Sequence, residues 1–218
     1  MSSVFIVGAA GKIGRRLVER LAKKGHEPLA LHRKPEQGDT LKALGATPVA
    51  GDLTALDAPA LAQLMAGSKA VVFTAGAGGA GMEITNAIDG RGLETTVDAA
   101  QLAGIKRFLL VSAFPDAGRG KTPSEGFENY MAVKKHADVY LVDTDLDWVI
   151  VRPGTLSDEP GTGHVRADVA IPYGNVPRDD VAAFLAEVID QPTVNRIIIE
   201  LTEGETPIAN AVDRLHRG

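Results

Sequence analysis

The chain has no cysteine in its 218 residues. That excludes disulfides, a thiolate nucleophile and any cysteine metal site. Aromatic residues make up only 5%. A core must therefore be filled by Val, Ile, Leu and Ala, which suits a parallel sheet covered on both faces. No apolar run reaches the roughly 20 residues of a membrane-spanning helix. No block of basic residues occurs and the net charge is −5, so neither nucleic acid nor a membrane is an expected partner. The five histidines are scattered without ligand spacing, and no metal site is expected. Strand-like residues begin at position 4 with no basic flank before them, so the expectation is a cytoplasmic protein without a signal peptide.

What is present is an apolar fraction of 44%, enough for a sizeable core. The run Val4-Phe5-Ile6-Val7 passes directly into Gly8-Ala9-Ala10-Gly11-Lys12-Ile13-Gly14, and an amphipathic stretch follows from Arg15 to Lys24. Strand, glycine turn and helix in that order form a seat for the pyrophosphate of a dinucleotide. Glycine lets the backbone approach the phosphates, and the helix start offers unpaired N–H groups at a positive dipole end. A glycine pattern alone is weak; in this context it is specific.

Strand-like and helix-like segments then alternate. Strands are expected at Pro28–His32, Thr47–Ala50, Ala70–Phe73, Arg107–Val111, Trp148–Val151 and Arg196–Leu201. Between them lie helices at Glu36–Leu44, Asp57–Ala66, Ile84–Ala103, Ser124–Leu141 and Asp179–Ile189, with a last helix at Ala209–Leu215. Thr122-Pro123-Ser124-Glu125 has the form of a capping box. The pattern predicts one α/β domain over residues 1–218, a doubly wound, Rossmann-like parallel sheet with ligands at the carboxyl ends of its strands. Residues 152–176 hold four glycines and three prolines. They read as substrate-side loops, with room for a short strand at Val165–Ile171.

The second strand ends Leu31-His32-Arg33-Lys34, where an NAD site normally carries a carboxylate. Arg33 suits a 2′-phosphate, so NADP is expected, with NAD as the alternative. Lys12 offers a second positive contact. Asp52 and Leu53, after the third strand, suit an adenine amino group and ring; a helix-capping Asp is the other reading. Ala75 and Gly76 follow the fourth strand, where the backbone passes the cofactor.

Ser112 puts a hydroxyl at the end of the fifth strand. Tyr130 and Lys134 lie one helical turn apart on the next helix. A lysine beside a phenol lowers the phenol's pKa, which is about 10 in free tyrosine. Such a tyrosine passes a proton to or from a carbonyl oxygen while the lysine also holds the nicotinamide ribose. A half-buried tyrosine with a solvated neighbour has the same spacing; the place after the fifth strand favours the crevice.

Taken together, Gly8-x-x-Gly11-x-x-Gly14, Asp52-Leu53, Gly104-Ile105-Lys106-Arg107-Phe108, Val111-Ser112-Ala113, Tyr130-x-x-x-Lys134, Val151-Arg152-Pro153-Gly154 and Pro177-Arg178-Asp179-Asp180-Val181-Ala182 resemble the atypical short-chain dehydrogenases/reductases. The chain is similar to small NAD(P)-binding proteins described as NmrA-like or as epimerases and dehydratases. The resemblance implies Ser112, Tyr130 and Lys134 as the catalytic set, and Pro153 near the nicotinamide. Where the fuller catalytic branch carries an asparagine, this chain has Asp89, which could orient water or Lys134, or pair with Arg91. The implied activity is an NADP-dependent oxidoreductase of a small carbonyl, alcohol or quinone-like molecule. A non-catalytic NADP-binding sensor and an epimerase/dehydratase are the alternatives. Only 66 residues follow Arg152, short for a sugar-nucleotide domain. Either a monomer or a homodimer is compatible with the pattern.

Overall fold

Five residues, Ser3–Val7, form the first strand, β1, and their side chains alternate. Val4 and Ile6 join the core on one face of the sheet, Phe5 and Val7 the core on the other, and none is more than 1% exposed. Burial on both faces follows from helices on both faces. The computed structural model describes residues 2–120 and 122–216. After β1 come α1 (Lys12–Lys23), β2 (Glu27–His32), α2 (Pro35–Ala43), β3 (Thr47–Ala50), α3 (Ala58–Leu64) and β4 (Ala70–Phe73). Then follow α4 (Met82–Thr85), a π-helical stretch (Asn86–Gly92), α5 (Leu93–Leu102), β5 (Arg107–Val111), α6 (Glu125–Val142) and β6 (Asp147–Pro153). The chain closes with β7 (Thr155–Ser157), β8 (His164–Asp168), β9 (Asn175–Pro177), α7 (Arg178–Ile189), β10 (Ile197–Glu203), β11 (Thr206–Pro207) and α8 (Ile208–Asp213).

Nine strands make one sheet in the order β11-β8-β10-β6-β5-β4-β1-β2-β3. Every pairing from β10 across to β3 is parallel, while β8 runs antiparallel to both β10 and β11. This is the doubly wound, Rossmann-like arrangement. Leu17 of α1, Leu41 of α2, Phe184 of α7 and Val212 of α8 pack on one face; Leu61 of α3, Val97 of α5 and Leu141 of α6 pack on the other. Strand order reverses at β1, which lies between β2 and β4, so a crevice opens beyond the carboxyl ends of those strands.

Three local expectations change. The single helix expected over 84–103 is broken by the π-helical stretch, which contains Gly90 and Gly92. Glycine weakens a helix interior. A Cβ at Gly92 would also stand 2.8 Å from Leu53 Cδ2, so the bare backbone is what lets Leu53 pack there. The helix cap is Ser124, not Thr122: its side chain accepts from the Phe127 N–H at 3.2 Å, leaving Pro123 outside the helix. Residues 152–176 are not loops throughout. They contain β7 and β9, which pair in parallel with each other; β8, which joins the main sheet, lies where the short strand at Val165–Ile171 was expected.

Arg107 at the start of β5 is buried and reaches across to the end of α7. Its Nη1 donates to the Val194 carbonyl at 2.6 Å, and its Nη2 to Val188 at 2.7 Å and Gln191 at 3.3 Å. Burial pulls its pKa down to about 10. Arg107→Met is expected to cost about 2–4 kcal/mol, because helix-end carbonyls lose their donors. The check is a lowered urea midpoint at unchanged m value; an unchanged midpoint would mean that water replaces the guanidinium.

Candidate functional site

A crevice of about 1010 Å³ opens at the sheet's switch point. Its floor is the turn between β1 and α1. Gly8 has φ +87°, and a Cβ there would lie 2.4 Å from the Ala75 backbone nitrogen. The turn is closed by Gly11 N–H donating to the Gly8 carbonyl at 2.9 Å. Helix α1 has no side-chain cap and no acidic residue in its first turn, so its leading N–H groups face the crevice unanswered. Gly8, Gly11, Lys12 and Ile13 line the crevice. Gly14 does not; it packs helix on turn, and a Cβ there would come within 2.2 Å of the Gly8 carbonyl oxygen. Gly14→Ala is expected to cost about 1–3 kcal/mol by overpacking, seen as a fall of several degrees in melting temperature. An unchanged melting temperature would mean that the turn yields freely.

At one end lie Arg33, Gln37, Asp52, Leu53 and Thr54. Gln37 Oε1 accepts from the backbone N–H groups of Arg33 and Lys34, at 3.1 and 3.0 Å, and so fixes the strand-to-helix corner. Arg33 is exposed and makes no ion pair among the described residues, which leaves its guanidinium available to an anion. Asp52 Oδ1 accepts from the Thr54 hydroxyl at 2.7 Å and the Thr54 N–H at 3.0 Å. Those bonds, with Arg33 nearby, hold its carboxyl below the usual range. Lys12 is bridged across the mouth: its Nζ lies 2.5 Å from Asp158, which also takes Arg178 Nη1 at 3.0 Å.

At the other end stand Ser112, Phe127, Tyr130 and Lys134, with Ala75, Gly76 and Asp89 on the facing wall. Ser112 Oγ is buried without a hydrogen-bond partner. Lys134 is 4% exposed, and its Nζ donates to the Val111 carbonyl at 2.9 Å and to Asp89 Oδ1 at 3.4 Å. Asp89 Oδ2 accepts from the Ala77 N–H at 2.9 Å. Asp89 thus pairs with Lys134 and not with Arg91. The expected lowering of the Tyr130 pKa is reversed. Burial pushes the phenol up to about 12, and the charges of Asp89 and Asp138 push the same way. Tyr130 is therefore a neutral phenol, fit to give a proton rather than to take one.

Pro153 stands apart from this set. It lies in β6, buried and in register with Leu201, and does not line the crevice. Its neighbour Arg152 is turned to Asp138, at 2.8 and 3.0 Å. The sequence reading passed over Gln37, Phe127, Leu156, Asp158 and Arg178. Arg178 and Asp180 were quoted only within a motif, and Asp180 does stand in the first turn of the helix expected from Asp179. Asp180 also accepts from the Thr162 and Gly163 N–H groups, each at 2.9 Å, and Arg178 reaches the crevice. Among the described residues no helix is long and apolar enough to cross a membrane, and no cluster of His, Asp or Glu is arranged to hold a metal.

A family model described as NAD(P)H-binding matches residues 8–192. The chain belongs to that family. It is 39% identical to the uncharacterized sugar epimerase YhfK of Bacillus subtilis, over 97% of this chain and 99% of that protein. The structure of a candidate NAD-dependent epimerase/dehydratase from Bacillus halodurans is similar at a TM-score of 0.90, with 36% identity over 98% of this chain and 100% of that one. ChuY, an anaerobillin reductase from Escherichia coli O157:H7, has a TM-score of 0.76 and 25% identity over 93% and 97% of the two chains. These matches bear out the resemblance to the atypical short-chain dehydrogenases/reductases. The crevice fits an NAD(P)H-type nucleotide: a glycine cradle that a Cβ would obstruct, open helix N–H groups, and an unpaired buried hydroxyl at the far end.

Proposed function

We propose that this protein is an NADP-dependent oxidoreductase that reduces a small carbonyl compound, quinone-like molecules included, or oxidises the corresponding alcohol. The observation that carries the reading is the unpartnered, buried Ser112 Oγ on the same crevice as Tyr130 and Lys134. A buried hydroxyl without a partner is costly unless a ligand supplies one. When bound, the nicotinamide supplies or accepts the hydride. Ser112 and Tyr130 are the groups available to a substrate oxygen. Tyr130 gives its proton to that oxygen and regains one from solvent, leaving an alcohol. Lys134, held by Val111 and Asp89, fixes the wall on which both stand. Arg33 and Lys12 supply positive charge for the nucleotide's phosphates, and Arg33 favours NADP over NAD.

The test is turnover of a panel of quinones, aldehydes, ketones and flavins with NADPH and with NADH. Consumption of NADPH in preference to NADH with at least one of them is the expected result. Tight NADPH binding with no turnover across the panel would instead make the protein a nucleotide-holding regulator.

A further inference from the structure

We propose that Lys12 and Arg178 form a two-cation subsite for the pyrophosphate of the nucleotide, and that Asp158 is a built-in competing anion which those phosphates displace. The inference goes beyond the oxidoreductase reading, because it concerns binding and needs no turnover. Its basis is a carboxylate set between two cations of the crevice. Lys12 and Arg178 both line that crevice. One Asp158 oxygen takes Lys12 Nζ at 2.5 Å, and the other takes Arg178 Nη1 at 3.0 Å. Among the described residues neither cation is paired with any other carboxylate. Asp179 is taken by Arg20, and Asp180 by the backbone of Thr162 and Gly163.

Strand register brings the bridge together. β7 and β9 pair in parallel with Ser157 opposite Pro177, so the next residue of each, Asp158 and Arg178, follow side by side. Arg178 Nη1 also donates to the Leu156 carbonyl at 3.3 Å, which holds the guanidinium against β7. Lys12 comes from the floor of the crevice. It is the first residue of α1, the helix whose leading N–H groups carry no side-chain cap. The bridge therefore joins segments 146 residues apart in sequence. The side chains of Lys12 and Asp158 are 57% and 48% exposed, and an ion pair so open to water contributes little. A pyrophosphate offers the same cations more charge and more acceptor oxygens, at a helix start that favours anions. Exchange of Asp158 for phosphate is thus favourable, yet every binding event breaks the bridge and leaves a carboxylate beside the phosphates. The aspartate makes the nucleotide bind more weakly than the two cations alone would allow. The 2′-phosphate is left to Arg33, so the effect falls on the phosphates that NADPH and NADH share.

The experiment is a calorimetric titration of NADPH and of NADH, at low salt, into the full chain as wild type, Asp158→Asn, Arg178→Gln and the double variant. Asp158→Asn is expected to tighten both nucleotides by about three- to tenfold. Arg178→Gln is expected to weaken both by about tenfold, and to do so in the Asp158→Asn background as well. Unchanged or weaker binding in Asp158→Asn would make the bridge a brace and overturn the proposal. A gain confined to NADPH would set Asp158 against the 2′-phosphate and overturn it too. If Arg178→Gln costs nothing once the aspartate is gone, the guanidinium only neutralises Asp158, and the subsite falls. Should Arg178→Gln not fold, Asp158→Asn, a change at an exposed side chain, still decides. The titration needs no substrate. A panel without turnover would therefore remove the oxidoreductase reading alone, and unmoved affinities would remove this inference alone.

Discussion

Tyr130→Phe is expected to lower turnover by about 10²- to 10⁴-fold, the usual contribution of a positioned general acid. NADPH affinity is expected to stay within a few-fold of the wild type. The two expectations differ because the phenol stands at the opposite end of the crevice from Arg33 and donates no hydrogen bond that the fold needs; its ring lies 6.3 Å from that of Phe127, which phenylalanine preserves. The loss is expected in kcat and kcat/KM alike, as for a group acting only in the transition state. The substitution removes the hydroxyl of a half-buried residue without opening a cavity, so the melting temperature serves as an internal control. Turnover within a few-fold of the wild type would take Tyr130 out of the reaction and move the proton to Ser112 or to water.

Arg33→Ala is expected to weaken NADPH binding by about ten- to a hundredfold, the value of one to two charge-assisted hydrogen bonds to a phosphate. NADH binding should change little, so any preference for NADPH collapses. Position is the reason. Arg33 follows directly on β2, lines the crevice and makes no ion pair among the described residues. Its backbone is pinned by Gln37, so the side chain is presented from a fixed corner. Because the guanidinium is exposed, the effect should shrink as salt rises. Parallel calorimetric titrations of the two nucleotides decide the matter. Equal losses for NADPH and NADH would place Arg33 on a phosphate common to both.

Much of this was legible because local chemistry and overall fold agree. The run from Val4 to Val7 reads as a buried strand and is one; Gly8, Gly11 and Gly14 read as a turn under close approach, and the distances that a Cβ would have there give the reason. The alternation of strands and helices fixed the parallel order almost throughout. The π-helical stretch was not legible, since Asn86–Gly92 carries no signal that separates it from an α-helix weakened by Gly90 and Gly92. Strands β7 and β9 were hidden in a segment rich in glycine and proline, where no period-2 pattern has room to develop, while β8 lies where a short strand was expected. Site chemistry divides the same way. The spacing of Tyr130 and Lys134 placed both on the crevice correctly, yet it could not reveal that the lysine's partner is Asp89, 45 residues away. The direction of the tyrosine's shift turned first on its burial, with the charges of Asp89 and Asp138 adding to it.

Helix α7 joins two regions that chemistry would otherwise keep apart. At its first turn Arg178 reaches the crevice, Asp179 meets Arg20 of α1, and Asp180 gathers the backbone of Thr162 and Gly163. At its far end Arg107 clasps the closing carbonyls from the opposite edge of β5. Twelve residues span about 18 Å between those ends. The helix is a strut footed in the base of the molecule, and the rim over the nucleotide is braced from the side most remote from it.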